Sequence, residues 1–175
     1  EELLSARPNY GWCAEESHEI HGEDPTRRWL VDPLDGTTNF LHGIPHWAIS
    51  IALEHKNEIV AGIIYDPIKN ELFSAQRGGG SWLNEQRLRV SNRTTFQEML
   101  FATGIPFGES DYLENSLASI GNLMPSCAGI RRNGAASLDL AYVAAGRFDG
   151  FWEQNLSSCD IPPSFLIVKE AGGII

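Results

Sequence analysis

Cysteine is scarce: the chain carries three, Cys13, Cys127 and Cys159. An odd, scattered set makes no disulfide framework and favours a reducing compartment, here the cytoplasm. Basic residues are outnumbered, 13 Lys and Arg against 23 Asp and Glu, for a net charge of −10. Phosphate backbones are gripped by clustered Lys and Arg, so this balance argues against a nucleic-acid partner. No apolar run reaches the ~18 residues of a membrane span, no signal peptide opens the chain, and no internal repeat or low-complexity segment interrupts it. What is present, 42% apolar and 21% charged residues over 175 positions, suits a globular chain able to bury a sizeable core.

The most informative stretch is Trp29-Leu-Val-Asp-Pro-Leu-Asp-Gly-Thr-Thr-Asn-Phe40. Trp29, Leu30 and Val31 predict a short buried strand running into Asp32. Pro33 is expected to stop ladder pairing, and Asp35-Gly36 to open a tight turn followed by Thr37, Thr38 and Asn39. Two carboxylates beside a Gly-Thr-Thr turn can hold a hard cation and a phosphate side by side. A bare Asp-x-x-Asp is more often an Asx-turn that caps its own backbone. The full run from Asp32 to Phe40 reverses that preference.

Around this stretch the pattern predicts a helix end over residues 1–7, a strand over Tyr10–Ala14 that delivers Glu15, and a polar surface loop over residues 17–28. His18 and His21, three apart, lack the Cys or further His that a transition-metal site needs. Alternating apolar positions then predict an antiparallel meander: strands at residues 49–53, 59–65 and 71–76, a hairpin at Gly78-Gly-Gly80, and short strands at Trp82-Leu83 and Leu88–Val90. Further on come a strand over Met99–Thr103, a loop over Gly104–Asp111 and helical spacing over Tyr112–Met124. A strand over Ala128–Arg132, a helix over Ala135–Ala145, a strand over Phe148–Glu153 and a helix over Phe165–Ala171 complete the series. The change from strands following strands to strands alternating with helices suggests an α+β subdomain over 1–104 and an α/β subdomain over 105–175.

Asp32-Pro-Leu-Asp-Gly-Thr-Thr-Asn-Phe40 resembles the signature of the inositol monophosphatase family of Mg²⁺-dependent, lithium-sensitive phosphatases. Ala14-Glu-Glu-Ser17, Arg131-Arg-Asn-Gly-Ala-Ala136, Asp149-Gly-Phe-Trp-Glu153 and Glu170-Ala-Gly-Gly173 match in order, so the resemblance covers the whole chain. It implies an α+β, α/β layered sandwich of helices and two sheets, alternating α-β-α-β-α. Against that pattern the opening helices and a closing portion are expected to be missing, and the chain is read as a fragment truncated in its second half. The resemblance assigns Glu15, Asp32, Asp35 and Asp160 as side-chain ligands of two or three Mg²⁺ ions, with the Leu34 carbonyl as a further ligand. Gly36, Thr37 and Thr38 are implied phosphate contacts, and Glu15, Asp35 and Thr37 the catalytic set, with the Thr37 hydroxyl orienting a metal-bound water alongside Glu15. Gly134, Ala135 and Ala136 at a helix start, with Glu153 and Asp160, are the implied substrate contacts.

The physical case for metal is separate. Carboxylates gathered at strand ends repel by roughly 1–4 kcal/mol per pair at surface-like dielectric, which bound cations offset. Free helix-start N–H groups at Gly134–Ala136 suit anionic or hydroxyl oxygens. Glu153 taken alone is as readily an exposed strand-end acid, and Arg131-Arg132 serve an anion or a surface ion pair equally well. No nucleophile-elbow or His-x-x-Ser arrangement supports a phospho-enzyme, so direct attack by a metal-activated water is expected.

One segment departs from the family pattern. Cys159-Asp160-Ile161-Pro162-Pro163-Ser164 stands where Trp-Asp and a small-residue helix start are expected. A residue before proline avoids the α region, so the helix is predicted to start near Pro163, shifting Asp160 and weakening one metal site. Inositol monophosphate leads as substrate, a small phosphorylated polyol. Histidinol phosphate, a sugar bisphosphate and a 3′-phosphonucleotide are rivals, with Asn39-Phe40 favouring the inositol branch. A catalytically weakened relative that binds a protein partner is the alternative of another class. A homodimer is implied by the family, with Trp82, Phe107 and Tyr112 apolar enough to contribute.

Overall fold

The computed structural model describes residues 2–14, 17–105, 112–154, 156 and 161–175. A short helix α1 (Glu2–Ala6) leads into β1 (Tyr10–Ala14), β2 (Ser17–Ile20) and β3 (Asp24–Asp35). After α2 (Thr37–Leu41), the chain meanders through β4 (Ala48–His55), β5 (Glu58–Asp66), β6 (Glu71–Gln76), β7 (Gly80–Leu83) and β8 (Gln86–Arg87). These strands form one sheet in the order β2-β1-β3-β4-β5-β6-β7-β8, antiparallel except for the parallel β1–β3 pair. A smaller parallel sheet has β9 (Leu100–Thr103) at its centre, flanked by β10 (Gly129–Arg131) and β11 (Gly150–Trp152). Three longer helices complete the described chain: α3 (Leu113–Leu123), α4 (Ala136–Ala144) and α5 (Pro162–Glu170). None of the described helices is long and apolar enough to cross a membrane.

The expected mixed fold with two sheets is present. Helix α5 packs on β4 to β7 of the large sheet, and α4 packs on α5 and reaches β9 and β11 of the small one. This is the β-α-β centre of the layered sandwich. The buried residues of both sheets and both helices merge into one core around Ile64, Phe73, Leu138 and Ile167. The small sheet takes its central strand from Leu100–Thr103, ahead of the division expected at residue 104.

Strand register explains the close approach of α5. Leu30, Ala52, Gly62, Ala75 and Ser81 stand side by side across five strands on the inner face. Pro163 settles where this row is lowest: a Cβ built on Gly62 would lie 2.9 Å from the Pro163 Cα and Cβ. The far end of α5 is tied as well. Glu170 accepts hydrogen bonds from the Gly78 N–H at 2.8 Å and the Gly80 N–H at 2.9 Å, bracing the β6–β7 hairpin. Gly172, at φ +95°, then closes the helix, with the Gly173 N–H donating to the Val168 carbonyl at 2.9 Å.

Four expectations are corrected. Residues 17–28 are not a surface loop: β2 and the first half of β3 occupy most of them. Their polar side chains pair across strands, with Arg28 bridging Glu54 at 2.8 Å and Glu19 at 2.7 Å, so a strand without an apolar face is still stabilised. Pro33 does not end β3; pairing with β4 resumes at Asp35 after a register slip between Asp32 and Asp35, where an exposed proline needs no ladder donor. The strand expected at Leu88–Val90 lies at Gln86–Arg87. Here Leu88 turns into the core and the Val90 N–H donates to the Ala171 carbonyl at 3.2 Å. Helix α5 starts at Pro162, next to the expected position near Pro163, but Ile161 before it is not extended: it is the N-cap at φ −108° and ψ −12°. Both prolines fall on first-turn positions whose N–H groups have no intrahelical acceptor, and burial of Ile161 fixes the turn.

Gly62→Ala is expected to destabilise the fold by about 1–3 kcal/mol, because the added methyl meets the α5 backbone and not a movable side-chain tip. A denaturant midpoint unchanged from the parent would contradict this packing.

Candidate active site

The β3 bulge sends two carboxylates in different directions. Asp32 is buried at 2% exposure and accepts the Leu34 N–H at 2.9 Å on Oδ1, so the Asx-turn is realised there. Asp35 leaves its own loop. Its Oδ2 accepts the Ser137 N–H at 2.8 Å and the Ser137 hydroxyl, across 102 residues of sequence. Ser137 is the second residue of α4, so Asp35 acts as the carboxylate cap of that helix.

Gly36 follows at φ +88° and starts α2. Only glycine tolerates that angle in such a space, since a Cβ there would lie 3.1 Å from the His46 carbonyl and 3.2 Å from the Ala135 methyl. The Thr37 hydroxyl donates to the Leu34 carbonyl at 2.9 Å. Asn39, buried in α2, spends one amide nitrogen on two carbonyls, His46 at 2.7 Å and Asn133 at 2.8 Å. That bond to Asn133 holds the turn through Gly134, at φ +85°, which delivers Ala135 and Ala136 to the start of α4.

These residues line one cleft of about 290 Å³. Asp32, Leu34, Asp35, Gly36, Thr37 and Thr38 form one wall, and Gly134, Ala135, Ala136 and Glu153 the other. Every described member of the sequence-predicted set is therefore brought together. Glu15 and Asp160 lie outside the described residues, as do Cys159 and Phe107. Arg132 lines the cleft whereas Arg131 does not.

Sequence reasoning missed several contributors. Gly104 is one: a Cβ there would fall 1.8 Å from the Glu153 Cδ, so the carboxylate sits where any other residue would place its side chain. Thr103, just before it, donates to the Trp152 carbonyl at 2.8 Å and locks the ends of β9 and β11 together. Asp139 is another, in the first turn of α4 at 1% exposure, with Asn133 donating to its Oδ1 at 2.6 Å and His46 Nε2 3.9 Å away. A small residue closing a strand, or a serine early in a helix, gives no local hint of a partner far away in sequence.

The cleft is acidic. Among the described residues, Asp32, Asp35, Asp139 and Glu153 line it against one cationic side chain, Arg132. Burial pushes the Asp139 carboxyl up to about 7, Asn133 opposes the shift, and Asp35 and Glu153 add to it. Burial also raises Glu153, opposed by Arg132. Among the described residues no three acidic, His or Cys side chains converge as a metal cluster. Asp32, Leu34 and Asp35 all line the cleft, and their carboxylates and carbonyl are oxygen donors, which suit a hard cation.

The model described as inositol monophosphatase family matches residues 1–175. The chain belongs to this family. The inositol-1-monophosphatase of Rhizobium meliloti (strain 1021) is 53% identical over 173 residues, 99% of this chain and 65% of that protein. The Nus factor SuhB of Pseudomonas aeruginosa is 48% identical over 177 residues, again 99% of this chain and 65% of that protein. The solved structure of the extragenic suppressor protein suhB from Bartonella henselae matches with a TM-score of 0.96 and 54% identity, over 99% of this chain and 67% of that one. The chain thus spans about two thirds of the length of these relatives. The family is generally Mg²⁺-dependent, which accords with the oxygen-only donors of the cleft.

Two measurements probe this geometry. Gly104→Ala is expected to unseat Glu153, so that its carboxyl titrates closer to the ordinary glutamate range; carboxyl-resolved NMR titration would show an unmoved value if the seat does not matter. Asp139 holds its proton in the fold well above its ordinary range, so its contribution to stability is full below about pH 4 and is lost as pH rises through about 7. Asp139→Asn, which cannot ionise, is expected to lose less stability than the parent between pH 5 and pH 8 in chelator. Equal losses in denaturant melts would refute the assignment.

Proposed function

We propose that this chain forms the metal- and phosphate-binding part of a Mg²⁺-dependent phosphatase that hydrolyses the phosphate monoester of a small polyol, inositol monophosphate first. One observation supports it above the others. The Asp32–Thr38 turn and the Gly134–Ala136 helix start, about a hundred residues apart, face each other across one acid-lined cleft. Such a cleft repels a phosphate dianion unless cations stand between them.

Asp32, Asp35 and the Leu34 carbonyl are the described groups that would hold Mg²⁺, with Glu15 and Asp160 as further ligands and two or three ions in all. When bound, the metal polarises phosphoryl oxygens, lowers the pKa of water and offsets charge on the leaving oxygen. The chain does the positioning. Gly36, Thr37 and Thr38 contact the phosphate at the start of α2, where N–H groups have no intrahelical acceptor. Gly134, Ala135 and Ala136 present the start of α4 to the polyol, and Glu153 accepts a hydroxyl hydrogen bond from its place over Gly104. Water forms the new bond to phosphorus, the bond to the polyol oxygen breaks, and that oxygen leaves with a proton as inorganic phosphate departs. Glu15 and Thr37 orient the attacking water.

Histidinol phosphate, a sugar bisphosphate or a 3′-phosphonucleotide would use the same phosphate half. Asn39 separates them poorly, because its side-chain nitrogen is already given to two main-chain carbonyls. The free thiol of Cys127 supports a reducing, cytoplasmic setting, and exposed Trp82 and Tyr112 support a homodimer. The second reading is a catalytically weakened relative that acts by binding a protein partner; the chain is also similar to proteins named Nus factor SuhB.

The intact protein is expected to release phosphate from inositol 1-phosphate only with Mg²⁺, and Asp35→Asn to lower turnover by at least about a hundredfold. Folded protein without Mg²⁺-dependent turnover on inositol 1-phosphate or the rival phosphates would leave the partner-binding reading in its place.

A further inference from the structure

The two donors on Asp35 have a consequence for the cation. Ser137 is 1% exposed and places both its N–H and its hydroxyl on the same oxygen, Oδ2. It does so from the second position of α4, where the helix carries its partial positive charge. A cation that took both oxygens of Asp35 would have to displace these two donors and pull the carboxylate off the helix end. A cation that takes one oxygen leaves the clamp intact. Mg²⁺ and Ca²⁺ differ in this respect: the smaller ion keeps near-octahedral geometry with one oxygen per carboxylate, whereas the larger accepts six to eight oxygens, often two from one carboxylate.

We propose that Ser137 is a positioning residue that restricts Asp35 to one-oxygen ligation and so makes the site favour Mg²⁺ over Ca²⁺. The proposal rests on the metal-binding reading of the cleft. It deepens that reading by giving the preference a source outside the ligands themselves. The hydroxyl can be removed without removing the residue's backbone donor, so Ser137→Ala loosens the clamp and leaves α4 capped by one bond. Ser137→Thr keeps the hydroxyl.

The test is calorimetric titration of the intact protein with MgCl₂ and with CaCl₂, for the parent, Ser137→Ala and Ser137→Thr, alongside their melting temperatures without metal. Ser137→Ala is expected to shift the Mg²⁺-to-Ca²⁺ affinity ratio toward Ca²⁺ by about two- to tenfold, the range that one hydrogen bond carries. Ser137→Thr should restore the parent ratio. A merely structural serine would lower the melting temperature and leave the ratio alone, and an unchanged ratio in Ser137→Ala overturns the proposal. A parent that takes up neither cation overturns the metal reading and this proposal together; a parent that binds Mg²⁺ with an insensitive ratio overturns this proposal only.

Discussion

Asn39 gives its side-chain nitrogen to the main-chain carbonyls of His46 and Asn133, one from each half of the chain. The geometry of the cleft depends on this brace. It holds α2 beside the turn at Gly134, and that turn sets the direction in which α4 begins. From there Ser137 reaches back to Asp35 and Asn133 to Asp139, so the carboxylates are fixed by the same short segment. Buried carbonyls that lose such a donor cost about 1–3 kcal/mol each, which makes the brace expensive to omit. An amide is the suitable group because a carboxylate would face two carbonyl oxygens with no hydrogen to offer.

The acids of the cleft are held in unlike ways. Asp32 is buried against its own turn, Asp35 caps a helix, Asp139 is buried in the first turn of that helix, and Glu153 lies in a space cleared by Gly104. Asp32, Asp35 and Leu34 line the same cleft. Burial keeps the Asp139 carboxyl up to about 7, so it carries less negative charge near neutrality than its neighbours would suggest.

Much of this was legible in the sequence. The meander and the helices at α3 and α4 follow from local spacing, which a sequence displays directly, and the Asp32–Phe40 run was placed by its resemblance to a family signature. The errors share one cause. The first half of β3 has no apolar face, and its support comes from Arg28 with Glu54 and Glu19, partners a local window cannot see. Pro33 sits in a strand because a bulge removes the need for its donor, and α5 accepts two prolines because its first turn needs none. Ser137 and Gly104 were silent for the same reason: each acts on a group far away in the chain.

The small parallel sheet has an effect of another kind. Its central strand, β9, is made first, yet both of its neighbours come later in the chain. A chain leaving the ribosome therefore completes the meander and its Asp32–Asp35 turn while β9 still has both edges open. The facing wall of the cleft cannot close until Trp152 has been added and has paired with Thr103. Non-local parallel pairing of this sort is slow to form and exposes strand edges while it waits. The order of synthesis thus separates the making of the acidic turn from the making of the pocket, and the second step sets when the protein can first bind anything there.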